Sequence, residues 1–216
     1  MKKNIIFGLV CMLLVGCSKP TTASIKEKYE KVNGQEFHEK TNREITLQED
    51  SPFIETTAED INKKFTDQET FFVYYGDELC PWCRSVIEVA EQSALDHNVT
   101  VYVVDLWDEE GNELLRDTYS LEEGKLVQTS KGSDAYQEAL KNYHDVLSDY
   151  SIKDENGTLY DTGEKRIFAP NFIYVKEGKA IAMMEGISSL QEDSREELSQ
   201  EIKDDEKKMF DSFFAQ

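Results

Sequence analysis

The feature that most limits what this chain can fold into is the short stretch around its paired cysteines. Residues 70–75 are β-branched or aromatic and apolar on both sides, as a central buried strand must be. Cys80-Pro81-Trp82-Cys83 follows, and Val86, Ile87, Val89, Ala90 and Ala94 then recur at helical spacing as far as His97. A second run rich in Val, Tyr and Leu occupies residues 99–106. Strand, helix and strand in such quick succession make a βαβ unit with parallel strands, which places the chain in the α/β class.

The position of the cysteines has a chemical consequence. A helix N-terminus offers N–H groups without intrahelical partners and the positive end of the helix dipole, and both stabilise a thiolate. Pro81 suits the first turn because its missing N–H would have had no partner there. Cys80 is therefore expected to be the exposed, acidic nucleophile, and Cys83, one turn on and less exposed, to resolve a mixed disulfide. Nearby charges compete. Asp77 and Glu78 oppose an anion at Cys80 by on the order of 1 kcal/mol, against about 0.3–1 kcal/mol from an exposed helix terminus. Arg84 is the cation placed to tip that balance, and the direction of exchange stays open. Trp82 either contacts substrate or shields the pair.

Two blander readings of the pair are a zinc half-site and an inert couple of thiols. His97 lies at a finger-like distance, but no second His follows three to five residues beyond it, and His38 and His144 are remote. A structural zinc site needs four ligands, so no metal is expected, and no other cofactor.

Elsewhere the signals are local. Lys2 and Lys3 precede an apolar run at residues 5–15, shorter than the roughly 20 residues of a membrane-spanning helix, which reads as a secretory signal. Residues 18–51 are polar and charged, with a short helix expected at 25–32 and a short strand at 45–47. Taken flexibly, they make a tether reaching roughly 30 Å. The folded part is expected from Pro52, with a strand at 53–57 and a helix at 58–65. Beyond Asp108 residues 118–121 are expected to pair with 126–129, and a helix to run over 134–149 with Asp134 and Gln137 as its capping box. Asn156-Gly157 marks a tight turn, and 171–176 with 180–185 form a hairpin across Glu177-Gly178. A last helix is expected from Ser194, capped by Glu197, with Leu198, Ile202, Met209, Phe210 and Phe213 on one face. The net charge of −20 repels phosphate backbones and anionic head groups, which excludes nucleic acid as a partner.

Two resemblances add to this. Leu14-Val15-Gly16-Cys17 resembles the lipobox of bacterial lipoproteins. The resemblance implies that residues 1–16 are removed and that Cys17 becomes a diacylglyceryl-modified N-terminus. It also implies an extracytoplasmic protein anchored to the cell membrane, with a tether at 17–51 and a domain at 52–216. Cys11 then leaves with the signal and Cys17 is taken by lipid, so only Cys80 and Cys83 remain as thiols, too few for a disulfide-stapled scaffold.

The run at 71–83, Ala169-Pro170 before a hairpin, and the closing helix together resemble the thioredoxin superfamily. Among smaller groups the chain is similar to lipid-anchored thioredoxin-like proteins of Gram-positive bacteria, including bacteriocin transport accessory proteins. The implied fold is a central mixed sheet flanked by helices, enlarged here by an insertion at 108–166 before the strand that follows a cis-proline. By the same resemblance Pro170 is that cis-proline and acts with Cys80 and Cys83, Ala169, Pro81 and Trp82 contact substrate, and Tyr150-Ser151-Ile152 leads into Pro170. The implied activity is thiol–disulfide exchange with exported proteins or peptides, served by a membrane redox partner. The alternative is a redox-inactive module that binds an exported peptide. Two positions depart from the pattern: Tyr74 stands where the family has a buried acid and reads as core packing, and Leu79 replaces an aromatic before the first cysteine.

Overall fold

The structure is a computed structural model that describes residues 24–37, 39–107 and 115–216. In chain order, α1 (Ile25–Lys31), β1 (Glu36–Phe37) and β2 (Lys40–Thr41) precede β3 (Phe53–Glu55) and α2 (Ala58–Thr66). Next come β4 (Phe71–Gly76), α3 (Pro81–Asp96) and β5 (Val101–Asp105), then β6 (Thr118–Glu122), β7 (Lys125–Ser130), α4 (Asp134–Tyr143), β8 (Ser148–Lys153) and β9 (Leu159–Arg166). β10 (Asn171–Lys176), β11 (Lys179–Met184) and α5 (Gln200–Phe214) complete the chain.

A mixed five-stranded sheet in the order β11-β10-β4-β5-β3 organises these elements. β4 runs parallel to β5 with α3 between them, and antiparallel to β10. All six residues of β4 are buried, and the strand's two-residue period divides them between two cores. Phe72 and Tyr74 face α1, α3 and α5; Phe71, Val73 and Tyr75 face α2 and α4. β10 repeats the division, with Phe172 and Tyr174 on the first side and Ile173 and Val175 on the second. On the first side the cross-strand partners stack: Phe72 on Tyr174 at 4.7 Å and Tyr74 on Phe172 at 4.5 Å between ring centroids. Such pairs contribute about 0.5–1.5 kcal/mol beyond simple burial. The β10–β11 turn has both central residues at positive φ, Glu177 at 51° and Gly178 at 68°. Gly178 is needed for a second reason, because a Cβ there would lie 2.6 Å from the Phe65 carbonyl oxygen.

Five expectations need correction. The expected tether does not extend to Ser51: Ile25, Tyr29, Val32, Ile45 and Leu47 are buried, and four of them belong to the core that holds α3. Its apolar residues are few but spaced to lie on one side of α1, and polar neighbours hide that stripe in the composition. The expected strand at 45–47 joins no sheet. Its N–H groups are taken by side chains instead, Ile45 by Asn33 Oδ1 (3.0 Å), Thr46 by Glu88 (2.7 Å) and Leu47 by Glu30 (3.0 Å). Helix α4 is capped by Ser133, which accepts from Tyr136 N–H at 3.1 Å, and ends at Tyr143, so that residues 148–153, Tyr150-Ser151-Ile152 included, form β8. The segment leading into Pro170 is β9. The last helix begins at Gln200 under a Ser199 cap, because Glu196 turns back to accept from Glu192 and Asp193 N–H groups and closes a loop there.

Between β5 and β10 the chain adds α4 and two hairpins, β6–β7 and β8–β9, each its own two-stranded sheet. Among the described residues no helix is long and apolar enough to cross a membrane. The expected signal at 1–16 and Cys17 lie outside the described residues.

Candidate active site

β4 delivers the chain through a bend at Asp77–Leu79 to Cys80, which is the N-cap of α3. Its backbone is extended (φ −70°, ψ 117°), and its sulfur takes the part usually played by a Ser or Asp oxygen, accepting the Cys83 N–H at 3.3 Å. Pro81 occupies the first helical position, as its missing N–H allows. Both cysteines are free thiols; Cys80 is half-buried and Cys83 is fully buried. Trp82 is half-buried, and its carbonyl accepts from Ser85 Oγ at 2.8 Å.

From the far end of the insertion, Ala169 brings its carbonyl to 3.7 Å from the Cys80 sulfur, which donates to it, and the Ala169–Pro170 peptide is cis. Asn171, which follows, bonds back to the Pro170 carbonyl (2.9 Å) and takes the Phe168 N–H (2.7 Å), so the backbone beside Cys80 is held on both sides of the proline. Cys80, Cys83, Ala169 and Pro170 are thus brought together from positions far apart in sequence.

The two sulfurs are electrostatically unlike. Hydrogen bonding with the Cys83 thiol holds the Cys80 pKa below the usual thiol range against burial, helped by the Cys83 and Trp82 N–H groups and by the Arg116 charge. Burial pushes Cys83 well up, and its interaction with Cys80 pushes it further. The two thiols are thus shifted in opposite directions, Cys80 toward its anion and Cys83 away from it, and Cys80, expected to be exposed, is half-buried.

Charge reaches Cys80 from an unexpected side. Arg84, expected to tip the balance, turns away. It is 1 % exposed, donates to the carbonyls of Arg43 (2.9 Å), Tyr29 (2.9 Å) and Glu78 (3.0 Å), and also bonds Asn33 Oδ1. The cation acting on Cys80 is Arg116, held over the Trp107 ring at 4.4 Å with Nη1 donating to the Ile167 carbonyl at 3.2 Å. Asp77 is also less hostile to an anion than its sequence position implies. Burial, then the Glu78 charge, pushes its carboxyl up to about 8, so near neutral pH it is largely protonated.

Beneath Cys83 lies a pair that sequence reasoning missed. Tyr74 is completely buried, its phenol lowers the Cys83 pKa against burial, and its oxygen is 2.9 Å from that of Tyr29 in α1. Gly76 makes room for this, since a Cβ there would fall 2.0 Å from the Tyr74 hydroxyl. Lys28, beside Tyr29, bridges Glu55 (2.5 Å) and Asp105 (2.6 Å) at the edge of the same region. An Ile25–Tyr29 pair at helical spacing was the available signal for Tyr29; Arg116 had none, since its nearness to Cys80 is purely tertiary.

Among the described residues no group of three or more His, Cys, Asp or Glu side chains converges as a metal site would. His97 ends α3 and pairs with Asp211 at 3.4 Å, whereas Cys80 begins that helix, roughly 25 Å away at 1.5 Å per residue. The sequence matches no protein-family model and no curated protein.

Proposed function

We propose that this chain is a thiol–disulfide oxidoreductase of thioredoxin-like architecture that acts on exported proteins or peptides. The observation that carries the reading is the Cys80 sulfur capping α3: an acidic, half-buried thiol one helical turn from a buried, less acidic one. The order of β4, Cys80-Pro81-Trp82-Cys83, α3 and β5, with Ala169-Pro170 ahead of an antiparallel hairpin, supports the thioredoxin-like assignment.

In the reducing direction the Cys80 thiolate attacks a substrate disulfide R–S–S–R′. The Cys80–S–R bond forms, the S–S bond breaks, and R′–S⁻ leaves with the electron pair and takes up a proton. Cys83 then loses its proton and attacks the Cys80 sulfur, giving the Cys80–Cys83 disulfide and R–S⁻, which is protonated in turn. The substrate is reduced by two electrons and the enzyme oxidised by two; the oxidising direction is the reverse. In this reading the Ala169 carbonyl and Pro170 line the place where the substrate chain lies, and Pro81 and Trp82 flank it. Residues 1–16 are the leader, Cys17 carries the lipid outside the cytoplasm, and a membrane redox partner resets the pair.

Trapping tests this directly. Cys83→Ser should accumulate mixed disulfides through Cys80 in cells, and Cys80→Ser should accumulate none. If the Cys83→Ser protein traps no partner, the chain is better described as a peptide-binding module with incidental cysteines. The equilibrium potential against glutathione then sets the direction: about −270 mV marks a reductant and about −120 mV an oxidant.

A further inference from the structure

Cys83 must become an anion to resolve a mixed disulfide, yet it is completely buried and no ionised carboxylate stands at position 74 to accept its proton. What stands there is a phenol, and behind it a second phenol from the N-terminal segment. We infer that Tyr74 and Tyr29 form a two-hydroxyl donor chain that stabilises the Cys83 thiolate during resolution, so that the N-terminal segment completes the redox centre. The inference rests on the oxidoreductase reading above and extends it to how the second step is driven.

Three observations carry it. The phenol oxygens are 2.9 Å apart and both rings are buried, so each hydroxyl is confined to a local partner. The Tyr74 hydroxyl is seated by the missing side chain of Gly76 and acts on the Cys83 thiol in the direction that favours its anion. Tyr29 is held from its backbone, because Arg84, the residue after Cys83, donates to the Tyr29 carbonyl at 2.9 Å. One helix therefore carries both the resolving sulfur and the guanidinium that seats its remote donor.

The chemistry needs no other reagent. Burial raises both phenol pKa values, so these hydroxyls keep their protons and act as donors rather than bases. Tyr29 donates to Tyr74 and Tyr74 to the sulfur as negative charge gathers there. The proton released by Cys83 ends on the departing R–S⁻, and the electron pair of the broken S–S bond leaves with R. Tyr74 touches a reacting atom; Tyr29 is a positioning residue that acts through it. The titratable groups facing Cys83 are Cys80 on α3, Tyr74 on β4, Tyr29 on α1 and Asp77 in the loop after β4, with Asp105 of β5 acting on Tyr29. β10 and α5 bring Phe172, Tyr174 and Phe210 to this core, and the one titratable group among them, the Tyr174 hydroxyl, donates to the Gln216 carbonyl.

The two steps separate in one experiment with the reduced protein and the aromatic disulfide 5,5′-dithiobis(2-nitrobenzoate), followed by stopped flow. The first coloured thiolate is released by Cys80 attack and the second by Cys83 resolution. Tyr74→Phe should lower the ratio of second-phase to first-phase rate about tenfold, the loss expected when an anion forfeits a good hydrogen bond. Tyr29→Phe, the milder change, should lower it severalfold and move the half-maximal pH of the second phase upward, while Tyr75→Phe on the opposite side of β4 leaves the ratio unchanged. An unchanged ratio in both Tyr74→Phe and Tyr29→Phe, or an equal fall in Tyr75→Phe, overturns the donor chain. A wild-type protein that releases no first equivalent through Cys80 overturns instead the oxidoreductase reading beneath it.

Discussion

Tyr74 and Tyr75 are neighbours on one strand, equally buried, and they face opposite cores. On the α1/α3/α5 side Tyr74 meets Tyr29 oxygen to oxygen at 2.9 Å, beside the Cys83 sulfur. On the α2/α4 side Tyr75 meets Tyr143 edge-on with ring centroids 6.1 Å apart, and neither hydroxyl has a hydrogen-bond partner among the described residues. Burial holds all four phenols neutral. Ionisation therefore does not distinguish the two pairs. The difference lies in what the facing helix supplies: α3 brings a thiol and a guanidinium to one pair, and α4 brings another ring to the other. One dipeptide in a two-sided strand thus stands beside a buried thiol on one side and among rings on the other.

The strongest way to break the comparison is to release the N-terminal segment from the sulfur side alone. Arg84 bonds three carbonyls and one side-chain amide, two of the carbonyls from this segment. Arg84→Ala should cost about 3–5 kcal/mol, since buried carbonyls are left without donors. Denaturant unfolding measures that loss. Limited proteolysis should show cleavage within residues 24–47 before any within α2 or α4. Equal protection of the two regions would mean that apolar contacts, rather than Arg84, hold the segment.

A second break uses titration. The Asp77 carboxyl is pushed up to about 8 in the fold from an ordinary 3.8. The folded protein then keeps a proton that the unfolded chain gives up, so the stability tied to this group is greatest at low pH and falls as pH rises from about 4 to about 8. Glu206, a buried residue of α5 pushed up to about 7, adds to the same slope, whereas Tyr75, Tyr136 and Tyr143 on the opposite side stay neutral throughout. Asp77→Asn retains the neutral shape. It should match the wild type near pH 4 and exceed it near pH 8 by on the order of 2–4 kcal/mol, with the share of the slope due to Glu206 remaining. Urea midpoints across this range decide it, and an unaltered slope would mean that Asp77 is hydrated in the fold.

Which parts of this arrangement could be read before folding follows from range. The β4–α3–β5 unit, the hairpin at Glu177-Gly178 and the placement of Cys80 and Cys83 at the start of α3 rest on periodicity and on a helix terminus, which act over a few residues. Arg84 was misjudged because a charge close in sequence was assumed to be close in field, whereas helical geometry turned it toward Tyr29 and Arg43. Arg116 acts on Cys80 only because Trp107 and the Ile167 carbonyl hold it there, and nothing local encodes that. The N-terminal segment looked like a tether because its backbone bonds go to Asn33, Glu88 and Glu30 side chains, an ordering that composition reads as solvation.

The finest test of the comparison is the loss of a single oxygen on each side. Tyr75→Phe removes a buried hydroxyl that has no partner, so stability should change by less than about 1 kcal/mol, with any shift upward. Tyr74→Phe breaks the 2.9 Å contact and leaves the Tyr29 oxygen stranded, which should cost about 1–2 kcal/mol. Tyr29→Phe strands Tyr74 in the same way. The double variant Tyr29→Phe/Tyr74→Phe leaves neither hydroxyl behind, so its loss should be clearly less than the sum of the two single losses. The same cycle at Tyr75 and Tyr143 should fall closer to additivity, because neither hydroxyl there has a hydrogen-bond partner among the described residues. If both cycles were additive, the two sides of β4 would hold equivalent aromatic packing, and whatever Tyr74 does for Cys83 it would do without Tyr29.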